Sequence, residues 1–187
     1  SSAASDVYKR QGEHYVIETW VNRIYRQFTD RLFAITNPQT GKVYGYAFST
    51  WALIDTTSRQ PMDLAELPNG GFSSALIDKE IPIAGPGRIR LKNTENAVRT
   101  RQAYYTDLDI NGHVNSIRYI EMMLDLFPAK QFEASPVKRL EVAYSAEAYA
   151  DDFLQFYQEP SAKSDATLVE IRKEEGRIPV VKAAVTF

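Results

Sequence analysis

A chain of 187 residues, 44% of them apolar, has enough material for one large domain or two small ones with a substantial core. Its 22 Lys and Arg against 24 Asp and Glu leave a net charge of -2, which offers no general attraction for nucleic acid or an anionic membrane. The absence of cysteine excludes a disulfide framework, a thiolate metal site and a cysteine nucleophile, and is compatible with a cytoplasmic location.

The opening Ser1 to Gln11 lacks the apolar centre of a signal peptide, and apolar runs elsewhere fall far short of the ~18 residues a spanning helix needs, so no stable membrane insertion is expected. From Glu13 to Asn22, β-branched and aromatic residues without a helix breaker predict a long strand. Phe28 to Thr36 predicts a second and Lys42 to Asp55 a third, joined by the turn chemistry of Asn37-Pro38-Gln39-Thr40-Gly41. Trp20, Phe33 and Trp51 read as core residues, and His14 as a structural or surface residue.

Between Thr57 and Asn96, Pro61, Pro68, Pro82 and Pro86 with Gly70, Gly71, Gly85 and Gly87 break any periodicity, which reads as a connector. Val98 to Tyr105 then looks extended, Asp107 to Val114 a loop, and Asn115 to Phe127 a helix stopped by Pro128. Ile117, Ile120, Leu124 and Phe127 mark one apolar stripe, and Tyr119, Met122, Met123 and Leu126 extend it to other faces, so burial on most sides is expected. Four strands follow, at Arg139 to Ala148, Asp152 to Gln158, Ala166 to Lys173 and Val180 to Phe187. One antiparallel sheet curling around a central helix, the α+β hotdog arrangement, satisfies that order. A faint repeat, Gly12-Glu13 plus strands against Asp151-Asp152 plus strands, suggests two related halves.

With His14 and His113 the only histidines, no metal cluster and no cofactor motif are legible. The polar residues concentrate in Tyr105-Thr106-Asp107-Leu108-Asp109-Ile110-Asn111-Gly112-His113-Val114-Asn115, just before the helix. The N–H groups and dipole of that helix end can hold a carbonyl oxygen and its developing negative charge, and Gly112 would let the backbone approach closely. Asp109, Asn111 and Asn115 are equally the residue types that merely turn and cap a chain before a helix.

The string Leu108-Asp109-Ile110-Asn111-Gly112-His113-Val114-Asn115, continuing Ile117-Arg118-Tyr119-Ile120, resembles the signature of plant and bacterial acyl-ACP thioesterases. Leu140-Glu141-Val142-Ala143-Tyr144-Ser145-Ala146-Glu147-Ala148 resembles the family strand that carries a catalytic glutamate, with Glu147 at that position and Ala148 where plant members have cysteine. Glu18-Thr19-Trp20, Phe28 to Phe33 and Ser49 to Asp55 resemble the family's N-terminal hotdog. The resemblance implies a tandem hotdog with its first copy truncated: a leader at 1–11, strands only at 12–62, a linker at 63–96 and a complete C-terminal hotdog at 97–187.

It further implies hydrolysis of fatty acyl-acyl carrier protein thioesters by Asp109, Asn111, His113 and Glu147. His113 and Glu147 would activate water and Asn111 orient it, with Asp109 tuning the array or attacking as a carboxylate through an anhydride. The acidic carrier protein would dock on basic residues, of which Arg88, Arg90, Lys92, Arg99 and Arg101 are the densest group. A homodimer is compatible with this reading, and the sequence leaves open an acyl-CoA thioesterase or a noncatalytic acyl- or carrier-binding module.

Overall fold

Alternating side chains order the first strands. The computed structural model describes residues 14–55, 57–58, 60–67 and 76–187. The leader expected at 1–11, the Gly12-Glu13 end of the repeat, and Pro68, Gly70 and Gly71 lie outside the described residues. Strands β1 (Val16–Ile24), β2 (Phe28–Thr36) and β3 (Val43–Ala52) form an antiparallel sheet in that order. The β2-β3 turn follows its sequence chemistry: Asn37 Oδ1 accepts the backbone N–H groups of Gln39 and Thr40, and Gly41 takes φ +71°.

Register pairs Trp20 with Leu32 and Leu32 with Phe48, so these three share one face, where Ala34, Tyr46 and Ile81 join them. Trp51 pairs with Thr29, an odd number of residues from Leu32, and so lies on the opposite face, 58% exposed. The expectation that Trp51 is core is corrected by that register.

Much of the stretch read as a connector is ordered. Trp20 donates its indole N–H to the Lys79 carbonyl at 2.7 Å, and Ile77 N–H donates to Val21 O at 2.9 Å. The Lys79 ammonium, 2.6 Å from Glu18, also lies over the Trp20 ring. These bonds hold 76–81 against the first sheet. The first compact unit ends at Pro86, and Gly87–Phe187 belong to the second.

The second unit opens with a strap across its own sheet. Gly87 N–H donates to the Glu141 carboxylate at 2.7 Å, and Lys92 and Asn93 N–H donate to that of Glu159 at 2.8 and 3.0 Å. Glu141, Ala184, Leu168 and Glu159 are successive register partners, so the strap crosses four strands and is pinned at both ends. Period-two alternation puts Leu91 inside, buried, while Arg88, Arg90 and Lys92 are exposed.

That sheet is antiparallel throughout, in the order β4 (Arg99–Gln102), β6 (Phe153–Pro160), β7 (Thr167–Lys173), β8 (Ile178–Thr186), β5 (Arg139–Tyr144). Helix α1 (Ser116–Leu124) packs on its inner face, where Tyr119, Met122 and Met123 meet Leu154, Phe156, Val169, Ile171, Val181, Ala183 and Val185. This is the expected hotdog core.

The helix is nevertheless one-sided. Ile117 is 57% exposed and Arg118 and Glu121 pair with each other outside, so burial on most sides is not observed. The buried stripe runs along Tyr119, Met122 and Met123, with Ile120 and Leu124 at its flanks. Pro128 does not simply stop the helix: α1 unwinds through two tight turns after Leu124, and Pro128 is the N-cap of an unforeseen α2 (Ala129–Ala134).

Candidate active site

The polar loop before α1 is a small closed hairpin. Asn115 N–H donates to Asp107 O at 2.8 Å, Leu108 bridges Val114, and Asp109 N–H donates to His113 O at 2.8 Å. Its tip is a tight turn in which Gly112 N–H donates to Asp109 O, followed by Gly112 at φ +79°. A Cβ on Gly112 would meet nothing within 4 Å, so close backbone approach is not the reason for glycine. The positive φ is.

The base of the hairpin is clamped by Asp107, which the site reading missed. Its carboxylate, 8% exposed, takes the Arg101 guanidinium and the Tyr104 backbone N–H on one oxygen at 2.8 and 2.9 Å. Arg101 is therefore committed inside the fold, also lying against the Tyr104 ring, and is removed from the group of docking cations.

Asp109 organises the tip. Its Oδ1 accepts the backbone N–H of Asn111 at 2.8 Å and that of His113 at 3.2 Å. Desolvation raises its carboxyl, but these two N–H groups, the Asn111 side chain and the His113 ring outweigh it and hold the group below the usual carboxylate range. Asn115 caps α1 by accepting the Ile117 N–H at 2.9 Å.

Glu147 arrives from the opposite side. Sequence reading extends the strand to Ala148, whereas β5 ends at Tyr144. Ser145 and Ala146 both donate to Val180 O, which ends regular pairing, and the chain then crosses to the hairpin. There Val114 N–H donates to Ala148 O at 2.8 Å, and His113 forms a bridge with Tyr149. Buried Ala148 lets the backbones meet, and Glu147 Oε2 comes to 3.5 Å from His113 Nε2. The two side chains are 40% and 27% exposed, open to water yet partly screened.

Asp109, His113 and Glu147 thus line one cleft of about 230 Å³ with Asn115, Ser116, Tyr119 and Tyr144, where the first turn of α1 opens. Asn111 does not line it; it is exposed at the tip. Burial, with the negative charges of Asp152 and Glu147, pushes the Tyr119 phenol up against the opposing influence of the Ala148 backbone. Tyr119 is therefore neutral at any ordinary pH. Burial likewise raises Tyr144, whose hydroxyl donates to Ser116 O at 3.2 Å.

An imidazole and a carboxylate facing each other beside a helix N-terminus are groups that can take a proton from water, and helix N–H dipoles can stabilise a developing oxyanion. The family profile of the acyl-ACP thioesterase C-terminal domain matches residues 91–187, more than half of the chain, and that of the N-terminal domain matches 6–67. The chain belongs to the acyl-ACP thioesterase family.

Within that family, a crystal structure of an acyl-ACP thioesterase from Bacteroides thetaiotaomicron is 40% identical, with a TM-score of 0.83 over 92% of this chain and 68% of that one. The 12:0-ACP thioesterase from Umbellularia californica shares the fold, at 20% identity and a TM-score of 0.76 over 92% of this chain and 66% of its own. A palmitoyl-acyl carrier protein thioesterase of Gossypium hirsutum is 24% identical over 80% of this chain and 37% of its own length. A dodecanoyl-[acyl-carrier-protein] hydrolase of Cinnamomum camphora is 26% identical over 96% and 49%. The chain spans half or less of these two curated acyl-ACP thioesterase relatives. No described helix is long and apolar enough to cross a membrane.

Proposed function

We propose that the protein hydrolyses the thioester of a fatty acyl chain on acyl carrier protein, releasing free fatty acid, from a cytoplasmic location. The observation that carries the reading is the 3.5 Å approach of Glu147 Oε2 to His113 Nε2 in a cleft at the helix N-terminus of an acyl-ACP thioesterase family member. The cleft is large enough for several waters at ~30 Å³ each.

Glu147 and His113 hold a water and take its proton as its oxygen attacks the acyl carbon. The oxyanion is met by the first-turn N–H groups of α1, Ser116 foremost, since Asn115 already occupies that of Ile117. Collapse of the intermediate breaks the C–S bond, and the proton passes to the departing thiolate. Ala148 supplies no thiol to this scheme, so a thiol-blocking reagent leaves turnover intact.

Asp109 and Asn111 act in this reading by shape. Asp109 Oδ1 is engaged by two backbone N–H groups, and Asn111 holds that carboxylate rather than water. Asp109→Asn keeps an oxygen acceptor and is expected to retain at least about a third of kcat, whereas Asp109→Ala removes the acceptor of both turn N–H groups and lowers the midpoint of thermal unfolding. A thousandfold loss in the Asn variant would instead assign Asp109 as nucleophile through an anhydride.

For the carrier, the strap offers Arg88, Arg90 and Lys92 exposed on one side, about 6.6 Å apart at ~3.3 Å per extended residue. The test is hydrolysis of acyl-ACP and acyl-CoA across chain lengths, by this chain and by the full-length protein if it is longer. Faster turnover of acyl-ACP supports the reading, and preference for acyl-CoA overturns the choice of carrier. Reversing the three strap charges to Glu should raise KM for acyl-ACP about tenfold at low salt and leave kcat unchanged.

A further inference from the structure

One side chain beside the cleft has no place in this scheme, although it touches both members of the water-activating pair. Tyr149 donates its hydroxyl to Glu147 at 3.1 Å, and the acceptor is Oε2, the same oxygen that faces His113 Nε2. Its ring meets the His113 imidazole edge-on, with centroids 5.2 Å apart and planes at 80°. At the backbone, Tyr149 and His113 are the bridged pair that joins the two loops.

Tyr149 is itself held from behind. Its backbone N–H donates to Asp152 Oδ2 at 3.0 Å. The Lys173 ammonium, at the end of β7, lies 5.4 Å from the Tyr149 ring centroid and 3.5 Å from that same Asp152 oxygen. The end of β7 therefore holds Asp152, which in turn holds the backbone of Tyr149. The chain of contacts ends on the Glu147 carboxylate.

Glu147 needs such a brace. It stands in a loop past the end of β5, its carboxylate is 40% exposed, and its distance to His113 exceeds that of a good hydrogen bond. A carboxylate there has rotamers that face solvent instead of the imidazole. A phenol hydroxyl on Oε2 selects the rotamer that keeps this oxygen toward His113, at the cost of ordering only one stiff side chain.

We propose that Tyr149 is a positioning residue that locks the Glu147 carboxylate against His113, with Lys173 and Asp152 as its support. The inference rests on the thioesterase reading of the cleft for its consequence in turnover, but its geometric part stands without any substrate.

Tyr149→Phe keeps the ring between His113 and Lys173 and deletes only the hydroxyl. In acyl-ACP hydrolysis it should lower kcat about five- to tenfold with KM unchanged. In a Glu147→Gln background the same change should cost less than about twofold, because the group it positions is already disabled. Equal losses in both backgrounds, or none in either, overturn the proposal.

The second measurement needs no turnover. The His113 ring nitrogens, observed by NMR with His14 replaced by Asn, should shift in the same direction in Tyr149→Phe as in Glu147→Gln. Ring shifts that respond to Glu147→Gln but ignore Tyr149→Phe overturn the brace. A protein inert toward every acyl-ACP would sink the proposed function, and the ring nitrogens would still decide the positioning.

Discussion

Glu147→Gln is expected to lower kcat for acyl-ACP hydrolysis by about a hundred- to ten-thousandfold, the range for losing a general base. The substitution keeps size and one acceptor oxygen but removes the negative charge that draws a proton from water. Folding should be spared. Glu147 is partly exposed, outside regular pairing, and its neighbour Ala148 supplies the backbone carbonyl that holds the two loops together. A midpoint of thermal unfolding within about 2 °C of the parent separates lost chemistry from lost structure.

His113→Ala should cost a similar factor, and the double variant little more than either alone, because residues that act on one proton are not independent. Single-turnover hydrolysis of one acyl-ACP measures all three. If Glu147→Gln stays within threefold of the parent, the pair at 3.5 Å is a surface contact and the base lies elsewhere.

Strands could be read from sequence wherever side chains alternate or turn chemistry bounds them: Phe28–Thr36 was read with the limits of β2, and Asn37 with Gly41 marked its turn. The cleft was legible in part, because Asp109, His113 and Glu147 stand in two strings of recognisable spacing that the fold brings together. Departures from regularity without a breaker were hidden. Nothing in Tyr144-Ser145-Ala146-Glu147-Ala148 announces that the strand stops at Tyr144, since the cause is the Val180 carbonyl, which takes two N–H groups in succession. The exposure of Trp51 depends on register with β2, and composition carries no register. Strap and linker failed for a similar reason: Pro and Gly mark loss of periodicity, yet the segment after Pro86 is held by carboxylates 54 and 67 residues away.

Tyr149 and Asp107 were missed because their roles are set by the folded geometry of the loops and not by a residue pattern. A tyrosine two residues after a glutamate has no signature, and Asp107 sits among polar loop residues that look alike in sequence. Proximity to the cleft was not the useful signal. What distinguishes Asp107 is that it is buried and paired, which sequence shows only indirectly through an Arg six positions earlier.

Asp107→Ala is accordingly expected to cost about 2–3 kcal/mol, somewhat below the ~3–5 kcal/mol of a fully buried pair because the Arg101 side chain is 25% exposed. Three losses coincide: the charge partner of Arg101, the acceptor for Tyr104 N–H, and the rigidity of the residue whose carbonyl receives Asn115 N–H. The last connects stability with chemistry, since Asn115 caps α1 and its neighbour Ser116 lines the cleft. Turnover should therefore fall about tenfold or more even where the protein remains folded. Asp107→Asn keeps the turn acceptor and should fall between. Much of the penalty is the guanidinium left without its partner, so Arg101→Met added to Asp107→Ala should recover part of the stability but not the turnover. Chemical denaturation gives the first quantity and acyl-ACP hydrolysis the second. A single-variant loss under about 0.5 kcal/mol would mean that the clamp does not hold the hairpin, and equal recovery of stability and turnover would mean that it acts on the cleft only through the fold.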